Sequence, residues 1–280
     1  MADALLEARG IEVTYGAGRL IGRGAGIKVL HGIDISIHRG ETVGIVGESG
    51  SGKTTLGRAL LRLVDVTAGE IRFDGTDITH LPDDRMRPLR RRMQMIFQDP
   101  MASLNPRHSI RRILTEPVLL HGLEKDAKGA GRRALAMLDR VSLPSVVLDR
   151  NPHELSGGQR QRVGIARAAL LQPDFVLADE IVSGLDVSTQ AQALNLLKEL
   201  SRELGLSMAF ISHDLSVIRA VCDRVYVMRF GRVVEAGRCE DVFANPKSAY
   251  TRALLDAIPL PEIDPGWLDR ETVFEDVPEA

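Results

Sequence analysis

The chain has 280 residues, 44% of them hydrophobic and 26% charged, with a formal net charge of −2; this is the make-up of a soluble domain large enough to bury a sizeable core. The near-neutral balance gives no electrostatic reason to expect nucleic acid as a partner, and no stretch approaches the roughly 20 apolar residues that span a bilayer. The opening MADALLEARGIEV has acids where a secretion signal needs bases, and no apolar run follows, so the expectation is a chain that stays in the cytoplasm.

In chain order, residues 5–15 and 29–37 read as strands, the second with Ile33, Ile35 and Ile37 in alternation. A Gly-rich loop, 16–26, lies between them. Thr42–Val46 is a short apolar strand that ends on Gly47, and a helical pattern follows from Lys53 to about Leu63. Residues 69–75 read as a strand closed by Asp-Gly. A basic helical stretch, Asp83–Arg92, leads to Met95, Ile96 and Phe97. Residues 109–142 carry helical periodicity, broken at Gly122 and at Gly129–Gly131, and no strand is evident there.

From Phe175 the α/β alternation resumes. A strand at 175–178, a helix at 187–204, a strand at 207–211 and a helix at 215–221 are followed by paired strands, 224–229 and 232–236, turning at Phe230–Gly231. The whole is an α/β chain with a helical subdomain, about 99–160, inserted in the core. Cys222 and Cys239 are expected as free thiols. The last twenty residues hold seven acids, one arginine and three prolines, so 259–280 reads as an extended acidic tail.

Three segments carry chemistry. Gly47-Glu48-Ser49-Gly50-Ser51-Gly52-Lys53-Thr54, with Thr55 next, matches the phosphate-binding loop pattern between a strand and a helix. Its glycines let backbone N–H groups curl around phosphate oxygens. Lys53 would reach the β- and γ-phosphates, and the Thr54 hydroxyl would ligate Mg²⁺. Leu155-Ser156-Gly157-Gly158-Gln159 precedes another helical run, with Ser156 as a cap and glycines small enough to admit a phosphate. Phe175-Val-Leu-Ala-Asp179-Glu180 is an apolar strand ending in two acids. Asp179 would hold Mg²⁺ and Glu180 would polarise an attacking water.

Together, in this order, the three segments resemble the ABC ATPase family over residues 5–258. The resemblance implies a P-loop core with an N-terminal antiparallel β subdomain and an inserted helical one. It assigns Gln98 to Mg²⁺ and water, His213 to the γ-phosphate, and Tyr15 to the adenine ring. Asp186, in Ser183-Gly184-Leu185-Asp186, falls to the contact with a partner ATPase. Ile181 stands where many members have proline, a departure that touches local loop geometry.

The resemblance also implies ATP and Mg²⁺ as cofactors and a second ATPase chain, identical or paralogous, meeting this one head to tail. Each ATP would then lie between one chain's phosphate loop and the other's Ser-Gly-Gly. Two transmembrane permease subunits and, indirectly, an extracytoplasmic solute-binding protein complete the implied assembly at the cytoplasmic face of the cell membrane. Residues 98–107 and 243–255 are similar to importers of peptides, nickel and related chelates or opines. The cysteine cluster that some of those relatives add is missing from this sequence. The rival readings are an exporter subunit and a soluble ATPase acting on ribosomes or DNA. The basic run Arg85, Arg87, Arg90, Arg91 and Arg92 reads as a solvated helix face or, alternatively, a lipid contact.

Overall fold

Alternation of apolar residues decides the layers. The computed structural model describes residues 4–16 and 26–257; most of the Gly-rich loop and all of the acidic tail lie outside the described residues. The chain begins with β1 (Ala4–Tyr15), β2 (Ile27–His38), β3 (Thr42–Val46), α1 (Lys53–Leu60), β4 (Ala68–Phe73) and β5 (Thr76–Asp77). It continues through α2 (Asp83–Arg92), β6 (Met93–Ile96), α3 (Pro100–Ser103), α4 (Ile110–Leu120), α5 (Ala127–Arg140) and α6 (Gly157–Ala169). It closes with β7 (Phe175–Asp179), α7 (Val187–Leu204), β8 (Ser207–Ile211), α8 (Leu215–Val221), β9 (Arg224–Arg229), β10 (Arg232–Arg238), α9 (Cys239–Ala244) and α10 (Ala249–Asp256).

The strands form two sheets. One is antiparallel, in the order β2-β1-β4-β5. The other runs β10-β9-β3-β8-β7-β6 and is parallel except for β10. Because side chains alternate across a strand, the parallel sheet feeds two cores at once. Val43 and Ile45, Phe175 and Leu177, Ala209 and Ile211, Tyr226 and Met228 point to the antiparallel sheet and α1. Their neighbours Val46, Val176, Ala178, Met208, Phe210, Val225 and Val227 point to the opposite core, shared with residues of α4, α5, α6 and α7. Coverage on both faces explains why β3, β7 and β8 read as unbroken apolar runs.

Two local expectations need correction. Sequence analysis places no strand between residues 75 and 175, yet β6 pairs in parallel with β7 at the sheet edge. Gly129–Gly131 does not break a helix: α5 runs through both glycines, and the Asp126 side chain caps it by accepting from the Gly129 N–H at 2.7 Å. Gly122, with φ of 65°, does end α4. Both cysteines are free and buried. No helix of the described residues is long and apolar enough to cross a membrane.

Candidate active site

In an open parallel sheet, ligands bind beyond the carboxyl ends of the strands. The registers Ile45↔Ile211, Asp179↔Ile211, Ile96↔Ala178 and Val46↔Val227 align the ends of β3, β6, β7, β8 and β9. The segments that leave those ends are the phosphate-loop sequence, Phe97-Gln98, Glu180, Ser212-His213 and Phe230-Gly231. Residues up to 184 positions apart in sequence thus converge on one rim.

The turn after β3 is fixed by a close approach. Gly47 has φ of 149° and lies against the carbonyl of Met228, where a Cβ would collide. The Lys53 ammonium, on a side chain only 5% exposed, donates to the carbonyls of Gly47 and Glu48, both at 2.7 Å. Burial pulls its pKa below the usual lysine value, against the nearby charges of Glu180, Asp179 and Glu48. The Ser51 hydroxyl is buried inside the loop with no hydrogen-bond partner among the described residues.

At the end of β7, Asp179 is 2% exposed, and its carboxylate accepts from the Thr54 hydroxyl at 3.2 Å. Burial raises the Asp179 pKa, only partly offset by that hydrogen bond and by Arg58. A hydroxyl beside a desolvated carboxylate is the hard-oxygen donor set that Mg²⁺ takes, and a cation there would relieve the cost of the buried charge.

Glu180 is a non-glycine residue in the left-handed region, with φ of 47°; such backbone costs of order 1–3 kcal/mol and is held by its surroundings. Its N–H donates to the Ile211 carbonyl at 3.0 Å, and Ser183 N–H donates to its carbonyl at 3.1 Å. The side chain receives the Gln98 amide at 2.9 Å and has His213 Nδ1 at 3.7 Å from the other oxygen. A carboxylate presented by two polar neighbours can orient a water for attack. Ile181, the departure from proline, is buried in the core.

Ser156-Gly157-Gly158-Gln159 opens α6, with Leu185 the nearest neighbour of Gly157. The Ser156 hydroxyl accepts from Gln159 N–H at 3.3 Å and the Gln159 side chain accepts from Ser156 N–H at 3.0 Å, a complete capping box at the start of α6. Ser156 and Gly157 are exposed, and Gly158 lies close to Thr189 of α7. Asp186 caps α7 by accepting from Thr189, which lowers its pKa. The next residue, Val187, is 83% exposed. Tyr15, exposed at the end of β1, pairs with the exposed Ile27, and Val29 and Leu30, just further along β2, touch Gly52 of the loop. The remaining loop members, Ser49, Gly50 and Thr55, lie in the same turn and first helical residues.

Sequence reasoning placed Gly231 in a turn and Tyr250 in the importer-like segment, and tied neither to the phosphate loop. Yet the Tyr250 hydroxyl accepts from Glu48 N–H at 3.1 Å and Gly231 N–H donates to the Ser51 carbonyl at 3.0 Å. A cleft of about 650 Å³ opens beside the site, with Gln98, Asp179 and Arg58 at one end and Phe97, Leu63, Pro117 and Arg167 around it.

Comparison with known proteins agrees with this geometry. Residues 30–183 match the ABC transporter family. A Brucella ovis chain described as a peptide import ATP-binding protein is 51% identical over 274 residues, 98% of this chain and 84% of the relative. The oligopeptide transport ATP-binding protein OppF of Bacillus subtilis is 45% identical over 266 residues, 94% of this chain and 85% of that protein. Among solved structures, the dimeric post-hydrolysis state of the ATP-binding cassette MJ0796 bound to ADP and Pi has a TM-score of 0.75. It is 30% identical, over 84% of this chain and 98% of that one. CbiO1 from Clostridium perfringens, part of the ABC transporter complex CbiONQ, has a TM-score of 0.74 at 28% identity, over 90% and 95%. The convergent rim, the phosphate-loop sequence and these likenesses lead to one conclusion: the chain belongs to the ABC transporter family and is an ATP-binding, ATP-hydrolysing cassette of it.

Proposed function

We propose that this ATPase energises an importer of peptides or related small solutes. The observation that carries the reading is the meeting of Lys53, Thr54, Asp179, Glu180, Gln98 and His213 on one sheet rim, in a chain 51% identical to a described peptide import ATP-binding protein. Backbone N–H groups of residues 47–55 cradle the phosphates, Lys53 neutralises them, and Tyr15 faces the adenine. Thr54, Asp179 and Gln98 are the ligands for Mg²⁺, which when bound supplies charge neutralisation of the β- and γ-phosphates. Glu180 takes the proton of the attacking water, while Gln98 and His213 hold that water and the γ-phosphate side of the site.

The Ser156–Gln159 box, exposed at Ser156 and Gly157, and the exposed Asp186 are complete in themselves, as surfaces that meet the phosphate loop of a second ATPase chain. The cleft beside Gln98 offers permease subunits an apolar, Arg-edged seat next to the reacting groups. In this reading the chain works on the cytoplasmic face of the membrane as a peripheral subunit, with a solute-binding protein acting through the permeases. The test combines two measurements. ATP turnover of Glu180→Gln equal to wild type defeats the catalytic assignment. Affinity capture of the tagged chain from its host's membranes should bring two multi-span permeases, and capture of ribosomal or DNA-bound proteins instead defeats the importer.

A further inference from the structure

The last quarter of the chain is folded against the phosphate loop at three successive points. Met228 carbonyl meets Gly47, Tyr250 hydroxyl accepts from Glu48 N–H at 3.1 Å, and Gly231 N–H donates to Ser51 carbonyl at 3.0 Å. Two of these contacts are made by backbone, at Met228 within β9 and at Gly231 in the turn that follows it, which the sheet holds in place. Gly231, with φ of 70°, in turn receives His31 N–H on its carbonyl at 3.0 Å. The third is made by a side chain on a helix outside both sheets.

That side chain is itself held on two sides. Tyr250 is 5% exposed, and the Arg229 guanidinium lies 4.9 Å from its ring centroid. The start of α10 is tied to β10: the Glu235 carboxylate accepts from Lys247 N–H at 2.8 Å and from Ser248 N–H at 3.0 Å. Helix α10 is therefore anchored at its origin, and its first turn presents one hydroxyl to one loop peptide.

The Gly47–Glu48 peptide is held on both sides. Its N–H, from Glu48, goes to Tyr250, and its carbonyl, from Gly47, accepts from the Lys53 ammonium. Were phosphate to take the Lys53 ammonium from that carbonyl, the Tyr250 hydroxyl would be the side-chain hold left on the peptide among the described residues. We propose that Tyr250 is a positioning residue for the ATPase, keeping the 47–50 turn in its binding shape so that the loop is ordered before nucleotide arrives. The proposal rests on the assignment of residues 47–54 to phosphate binding. Pre-ordering shows in affinity, because a loop that must be ordered at the moment of binding takes its ordering cost out of the binding free energy.

Calorimetric titration of ATP into the full chain, with kcat and melting temperature measured alongside, tests this. Tyr250→Phe keeps the ring and its contact with Arg229 and removes only the hydroxyl. Its Kd for ATP should rise about three- to tenfold, the range one net hydrogen bond gives. Its kcat at saturating ATP should stay within about twofold, and its nucleotide-free melting temperature should barely move. Glu235→Gln, which loosens the anchor of α10 without touching the loop, should shift Kd in the same direction by less, and the double variant should show no more than Tyr250→Phe alone. Wild-type Kd in Tyr250→Phe, a loss confined to kcat, or a fall in melting temperature with Kd unchanged overturns the proposal. Should Tyr250→Phe fail to fold, wild-type Kd in Glu235→Gln overturns it equally. Lys53→Ala separates the two levels. If it binds ATP as wild type does, the phosphate-loop assignment itself has failed; if it loses binding while Tyr250→Phe does not, only the role of Tyr250 falls.

Discussion

Two glycine-bearing helix starts, Gly47–Thr55 and Ser156–Gln159, are built on opposite principles. The first is unfinished: its lysine is desolvated and folded back on its own loop, its Ser51 hydroxyl has no partner among the described residues, and the adjoining Asp179 is a buried carboxyl whose pKa burial raises. The second is self-satisfied: each polar group of its capping box already has a mate, and Ser156 and Gly157 are exposed. The difference teaches that need for a ligand and readiness for a partner surface are separate properties. One is visible as unsatisfied chemistry, the other only as exposed, rigid shape.

Removing the base should separate binding from chemistry most sharply. Glu180→Gln keeps a side chain that can pair with Gln98 and should lower ATP turnover by about 10²–10⁴-fold while ATP binding stays near wild type, as read by steady-state phosphate release beside calorimetry. The second start should behave in reverse. Ser156→Arg leaves the phosphate loop untouched, so the isolated chain should bind ATP normally, yet turnover of the assembled ATPase should fall about tenfold or more. Unchanged turnover would mean that the exposed box meets no second site. A loss of cap, about 1 kcal/mol, should lower its melting temperature slightly.

Asp179→Asn should raise the melting temperature of the nucleotide-free chain by a few degrees and abolish any gain from Mg²⁺ with ATP. The sign follows from burial. The folded-state pKa of Asp179 lies above its ordinary 3.8, so the folded chain holds more protons than the unfolded one between the two values, and stability falls as pH rises through that window. The advantage of Asp179→Asn should accordingly shrink toward the acidic end of the stable range, followed by thermal unfolding across pH. The smallest contrast is within α2. Arg90 donates to the carbonyls of Leu61 and Arg62, and Arg92 pairs with Asp74 and Asp174, whereas Arg85 and Arg87 are exposed. Arg90→Ala should cost about 1–3 kcal/mol in urea unfolding, and Arg85→Ala no more than about 0.5 kcal/mol. This helix is less a free basic face than its composition suggests.

Much of the rim was legible because the phosphate-loop, Ser-Gly-Gly and Asp-Glu segments are contiguous and carry rare residue combinations. The strands of the parallel sheet were legible for a different reason, their unbroken apolar runs. β6 was not, because Met93-Gln-Met-Ile96 is only four residues long, too short for its one polar alternation at Gln94 to stand out; its pairing with β7 makes it a strand. Gly129 and Gly131 misled because glycine propensity was weighed without the Asp126 cap that holds the turn. The Tyr250–Glu48 contact spans 202 residues, and no local pattern announces a hydrogen bond from a loop peptide to a distant phenol. The meeting of Gln98 and His213 with Glu180 was legible only through family resemblance, since a lone glutamine or histidine carries no local signature.

The strand order also dictates when this protein can be finished during synthesis. β3, which carries the phosphate loop, sits between β8 and β9, two strands that emerge from the ribosome only after residue 206. The β1–β2 ribbon can pair early, but β3 must wait with both edges bare, an apolar strand open to wrong partners. Long-range parallel pairing of this kind closes slowly. A chain stopped short of β9 would hold the whole phosphate-loop sequence and still lack the strand whose Met228 carbonyl and following Gly231 brace it. The nascent protein is thus committed to completing its sheet before it has a nucleotide site to offer.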